Sequence, residues 1–115
     1  MTSADENDEG LVSRGTTEPS GSMAVGVCTI ELYLPDGYSL KSKRQVLLSL
    51  KDRLRDRFNV SVAEVGDQEL WQKTVLGIAC VANERGFVNQ VLDQAVNLIR
   101  SVPTIEIVRT QIELL

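Results

Sequence analysis

Two segments of this chain can fold as helices that are apolar along a single stripe, and strand-like runs flank both. That pattern limits the fold more than composition does. Leu40, Leu47, Leu50, Leu54 and Phe58 fall on one side of a helix at ~100° per residue, and Val88, Val91, Leu92, Ala95, Ile99 and Val102 do the same farther along. Neither stripe can be hidden by its own helix, so both must lie against a common layer. Four extended runs can supply it. The first, residues 24–34, alternates Cys28, Ile30, Leu32 and Leu34 on one face with Val25, Val27, Thr29, Glu31 and Tyr33 on the other. Residues 59–65, 73–82 and 104–114 are the others, and the third is dominated by Val75, Leu76, Ile78, Cys80 and Val81. Breaks fall at Pro35–Asp36–Gly37, at Gly66–Asp67 and at Pro103. Ser39 suits the N-cap of the first helix and Asn83 that of the second. The order β-α-β-β-α-β predicts a ferredoxin-like α+β fold, two helices on one face of a four-stranded antiparallel sheet.

A chain of 115 residues holds one such domain and little else. Residues 1–22 carry Asp5, Glu6, Asp8, Glu9 and Glu18 against Arg14 alone, a net charge of -4, in a setting of Ser, Thr, Gly and Asn. Such a segment buries too little apolar surface to offset chain entropy, and we expect a disordered acidic tail before a domain spanning 23–115. The domain is neutral, with 11 basic and 11 acidic residues. No run approaches the ~18 apolar residues that cross a bilayer, and the acidic start is unlike a secretory signal, so a cytoplasmic protein is expected. The chain has no histidine. This removes the commonest general base, the Ser-His-Asp and Cys-His systems and the usual zinc sites. Cys28 and Cys80 lack metal-binding spacing and read as small buried hydrophobes, and neither a metal nor another cofactor is expected. Glu64, Asp67 and Glu69 read as carboxylates of a solvated loop. Trp71, in the same loop, either lids one end of the core or anchors a partner.

The charge within the domain is uneven. Lys41, Lys43, Arg44, Lys51, Arg53, Arg55 and Arg57 share the first helix with only Asp52 and Asp56, a local net charge of +5. Lys41, Arg44, Lys51 and Arg55 fall within an arc of about 80° beside the leucine stripe. A strip of that kind can follow phosphate oxygens along a nucleic acid. The alternative is an ordinary solvated face with pairs such as Asp52 with Arg55 and Arg53 with Asp56. Lys43 turns toward the leucine stripe itself and must reach water or a carboxylate. Glu31 or Asp36 could clamp it; otherwise Lys41, Lys43 and Arg44 could hold an anion at the helix start. The third strand, Thr74 to Cys80, has no aromatic residue, so the sheet lacks the base-stacking platform of an RNA recognition motif. Contact with RNA should therefore be directed at the backbone and sensitive to salt.

The opening Met23-Ala24-Val25-Gly26, the helix start Leu40-Lys41-Ser42-Lys43-Arg44 and the later Glu69-Leu70-Trp71-Gln72 resemble the YlxP-like family of small bacterial proteins. The resemblance covers Met23 to Leu115. It implies the ferredoxin-like fold and, through gene neighbours that include the one for ribosome-binding factor A, a place in ribosome maturation.

The reading is then of a non-catalytic binding module. Its expected partner is ribosomal RNA or a ribosomal subunit, contacted through Lys41, Lys43, Arg44, Lys51 and Arg55. The other reading is a homo-oligomeric protein-interaction or small-ligand adaptor that uses the open sheet face. Val25, Val27 and Tyr33 give that face its apolar character, Trp71 adjoins it, and a homodimer is the expected assembly.

Overall fold

The computed structural model of the protein describes residues 22–115; the acidic segment 1–21 lies outside them, and with it the expectation of a disordered tail. The six elements are β1 (Ala24–Tyr33), α1 (Leu40–Arg57), β2 (Val60–Gly66), β3 (Lys73–Ala82), α2 (Arg85–Arg100) and β4 (Glu106–Leu114). The strands form one antiparallel sheet in the order β2-β3-β1-β4. This is the ferredoxin-like α+β arrangement that the periodicity predicts.

Both helices cover the same face of the sheet. Cys28, Ile30 and Leu32 of β1 and Leu76, Ile78 and Cys80 of β3 meet Leu47, Leu50 and Leu54 of α1 and Val88, Leu92, Ala95 and Ile99 of α2 in one core. The approach of α2 to β1 depends on Gly26. A Cβ there would stand 2.6 Å from Val88 Cγ1 and 2.9 Å from the nearest methyls of Leu92 and Leu114, closer than packed carbon allows.

Two bulges correct what strict alternation would misplace. In β4, Ile107 pairs with Leu32 and Arg109 with Glu31, so Val108 is an extra residue and is 63 % exposed. The insertion lets Ile107 and Ile112, an odd number of residues apart, both pack against the core. In β2, Glu64 pairs with Leu76 and Gly66 with Val75, leaving Val65 extra and exposed. Glu64 is therefore a strand residue opposite a buried leucine, and not a member of a solvated loop.

Ser39 caps α1 as expected: its Oγ accepts from the Ser42 N–H at 3.0 Å, while the Ser42 hydroxyl donates to the Ser39 carbonyl. The second helix starts one residue later than its sequence suggests, with Glu84 and not Asn83 at the cap and no side-chain capping bond. No helix among the described residues is long and apolar enough to cross a membrane.

Candidate nucleic-acid interface

The cationic first helix divides into one buried charge and two exposed flanks. Lys43 is 1 % exposed, on the same buried stripe as Leu47, Leu50 and Leu54. Its ammonium lies 2.8 Å from Glu64 Oε2 and donates to the carbonyls of Asp67 at 2.7 Å, of Lys73 at 2.8 Å and of Leu70. Three protons are thus shared among four close oxygens, which offsets the removal of the charge from water. Glu64, at 18 % side-chain exposure, also accepts from the Thr74 hydroxyl at 2.6 Å. The loop that brings the carbonyls together turns at Asp67, whose φ of 58° is a left-handed conformation that aspartate tolerates better than most residues.

This corrects two expectations. Neither Glu31 nor Asp36 clamps Lys43: Glu31 points to the opposite face of the sheet, where Arg109 Nε lies 3.3 Å away. And Lys43 cannot be a nucleic-acid contact or part of an anion site at the helix start, because its nitrogen is enclosed and Ser39 already occupies the Ser42 N–H.

The flank beside β2 carries Lys41, Arg44, Lys51 and Arg55. Lys41, Arg44 and Arg55 are exposed and Lys51 is half-buried. Among the described residues none of the four has a carboxylate within salt-bridge distance, and neither the Asp52–Arg55 nor the Arg53–Asp56 pair forms. Arg55 instead donates from Nη2 to the Val62 carbonyl at 2.9 Å, which steadies its guanidinium over the edge strand β2 and leaves its charge uncompensated.

The flank beside α2 was not singled out by sequence. Arg53 and Arg57 border a trough between the two helices, whose broadest part is a cavity of about 540 Å³ running to Asn83 and Phe87. Arg53 continues the trough toward Gln45, Ser49 and Thr104. The only hint in the sequence was the run of amides Asn89, Gln90, Gln94 and Asn97 on the polar side of α2.

The open sheet face holds the remaining predicted residues. Val25 pairs with Val81, Val27 with Ala79 and Tyr33 with Lys73, which puts all three on one surface. The fourth predicted residue is Trp71. It lies before β3 beside the Pro35–Gly37 turn, where its carbonyl would be 2.9 Å from a Cβ on Gly37, and is 45 % exposed. Between β1 and β2 the face forms a shallow groove of about 310 Å³ walled by Val27, Thr29, Ala63, Val65 and Gly77. Cys28 and Cys80 are buried free thiols; burial, and secondarily the charge of Asp93, pushes Cys28 up to about 11. Among the described residues no three Cys, Asp or Glu side chains converge as metal ligands would.

Over 89 residues the chain is 38 % identical to the uncharacterized protein YlxP of Bacillus subtilis, an alignment covering 77 % of this chain and 97 % of that protein. Among solved structures it is similar to a C-terminal segment of the alpha subunit of aIF2 from Pyrococcus abyssi, at 15 % identity and a TM-score of 0.47, over 82 % of this chain and 50 % of that one. It is also similar to the de novo designed protein Ferredog-Diesel, at 15 % identity and a TM-score of 0.40, over 89 % and 97 % of the two chains. Residues 25–112 match the family described as Protein of unknown function (DUF503), and the chain belongs to that family, together with YlxP.

Proposed function

We propose that the protein is a non-catalytic, cytoplasmic RNA-binding module that engages ribosomal RNA or a ribosomal subunit through Lys41, Arg44, Lys51 and Arg55. The observation behind this reading is that four cationic side chains along one flank of α1 lack carboxylate partners among the described residues. A phosphate backbone is the complementary surface: each phosphate neutralised releases counterions, so affinity and salt dependence rise together. The test is cosedimentation with ribosomal subunits over a salt series. Association should weaken steeply as salt rises, and the double reversal Lys51→Glu with Arg55→Glu should abolish it. A wild-type protein that stays in the light fractions at low salt would overturn the proposal.

A second reading rests on the open sheet face, whose β3 contribution of Val75, Gly77 and Ala79 is small and apolar. Such a surface can pack against a second copy in a homodimer. Sedimentation equilibrium decides it: a dimer converted to monomer by Val27→Glu supports this reading, and a wild-type monomer at high concentration removes it.

A further inference from the structure

We infer that the trough between α1 and α2 seats unpaired bases of single-stranded RNA, with Phe87 as the stacking surface. The inference rests on the RNA-binding reading and adds to it a second subsite and a preference for unpaired strands.

Four observations converge on the trough. Its broad end, about 540 Å³, is within the ~300–1,000 Å³ typical of small-molecule sites and can admit a nucleobase with its sugar. Phe87 is 52 % exposed on its wall, an aromatic ring held on a rigid helix and largely open to solvent. Across the trough, on α1, Arg57 holds its guanidinium 5.6 Å above the Phe58 ring, a cation–π arrangement that steadies it, and Arg53 extends the positive charge along the trough. The polar lining beside Phe87 consists of amides, among them Gln90 and Gln94 on the same helix and Asn83 just before it, each of which offers both a donor and an acceptor to a base edge. Among the described residues, no aspartate or glutamate lines any part of the trough.

An acidic peptide would match the arginines but leave the amides and the aromatic ring unused. A purely apolar helix would leave the arginines buried without partners. An unpaired nucleotide uses all three: the ring stacks on Phe87, its edge meets the amides, and its phosphate lies against Arg57 or Arg53. The third strand of the sheet lacks aromatic stacking residues, so the helical layer takes that part.

The experiment is fluorescence anisotropy of the full chain with labelled ten-nucleotide single-stranded RNA and with a duplex RNA of equal length, at several salt concentrations. Phe87→Ala should weaken single-strand binding about tenfold, the cost of one lost base stack, and leave duplex binding unchanged. Gln94→Glu, which places a carboxylate in the trough at an exposed position, should act in the same direction. Equal binding of single strand and duplex, unaffected by Phe87→Ala, overturns the trough while the strip on α1 stands. Loss of both RNAs only in the Lys51→Glu, Arg55→Glu variant likewise overturns the trough and spares the strip. If the wild type binds neither RNA, the strip and the trough both fail. With single-strand binding present, shifts of the Gln90 and Gln94 side-chain amides of the isotopically labelled protein on adding that RNA support the trough, and unmoved amides overturn it.

Discussion

The buried stripe of α1 and the flank beside it carry the same kind of residue and treat it in opposite ways. Lys43 is enclosed and bound by four close oxygens, whereas Lys41, Arg44 and Arg55 stand in solvent without a carboxylate. The difference teaches that the number of cations on a helix says little until the stripe each one occupies is known. A lysine on the apolar stripe is a structural element that the sheet must be built to receive. One beside the stripe is available to another molecule.

The strongest way to break this contrast is to remove the buried charge. Lys43→Met should destabilise the domain by about 3–5 kcal/mol, since it leaves the Glu64 carboxylate and several carbonyls without their donor. Set against a typical margin of ~5–15 kcal/mol, that is a large share of the total, and urea denaturation measures it. A cost below about 1 kcal/mol would mean that the ammonium is no anchor. Next, the paired reversal Lys51→Glu with Arg55→Glu should lower RNA affinity at least tenfold, and the slope of log affinity against log salt should fall by about 1.4 for two lost single-strand contacts. Its urea midpoint should barely move, because neither side chain has a carboxylate partner to lose. A variant that instead unfolds would place these residues with Lys43. Third, Thr74→Val removes the hydroxyl that donates to Glu64 and should cost about 1 kcal/mol in the same denaturation assay, with RNA affinity unchanged.

The last effect is absent at neutral pH and confined to the alkaline range. The Cys28 thiol is held in its neutral form by burial and by the nearby Asp93 charge, so it keeps its proton up to about 11, against 9.0 when unfolded. An unfolded chain therefore loses that proton first, and stability should be unaffected below pH 9 and decline between 9 and about 11. Denaturation of wild type and Cys28→Ala across that range checks it, the variant showing the shallower decline. Disulfide exchange with an aromatic reagent at neutral pH should be slow in wild type and in the Lys51→Glu, Arg55→Glu variant, and fast in Lys43→Met, whose unfolded fraction is larger.

Most of the fold could be read from the sequence because both helices and β1 keep a clean period along their whole lengths. What could not be read were the places where the period is reset. The extra residues Val65 and Val108 break the alternation of β2 and β4, and only the paired strand reveals a bulge. Lys43 was recognisable as a cation on the apolar stripe. Its partner was not, since Glu64 lies on another element and is turned inward by its pairing with Leu76. Carbonyls, which do most of the binding, have no sequence signature at all. The cationic flank of α1 beside β2 was legible from the helical projection of one segment. The trough was not, because it exists only where two segments distant in sequence are laid side by side.

The cage around Lys43 has a last consequence. Four oxygens close on a positive charge that is covalently attached to the chain, so neither dilution nor a chelator can strip it from the turn that it organises. Helix start, edge strand and hairpin loop are in effect one cross-linked corner, sealed without sulfur or metal.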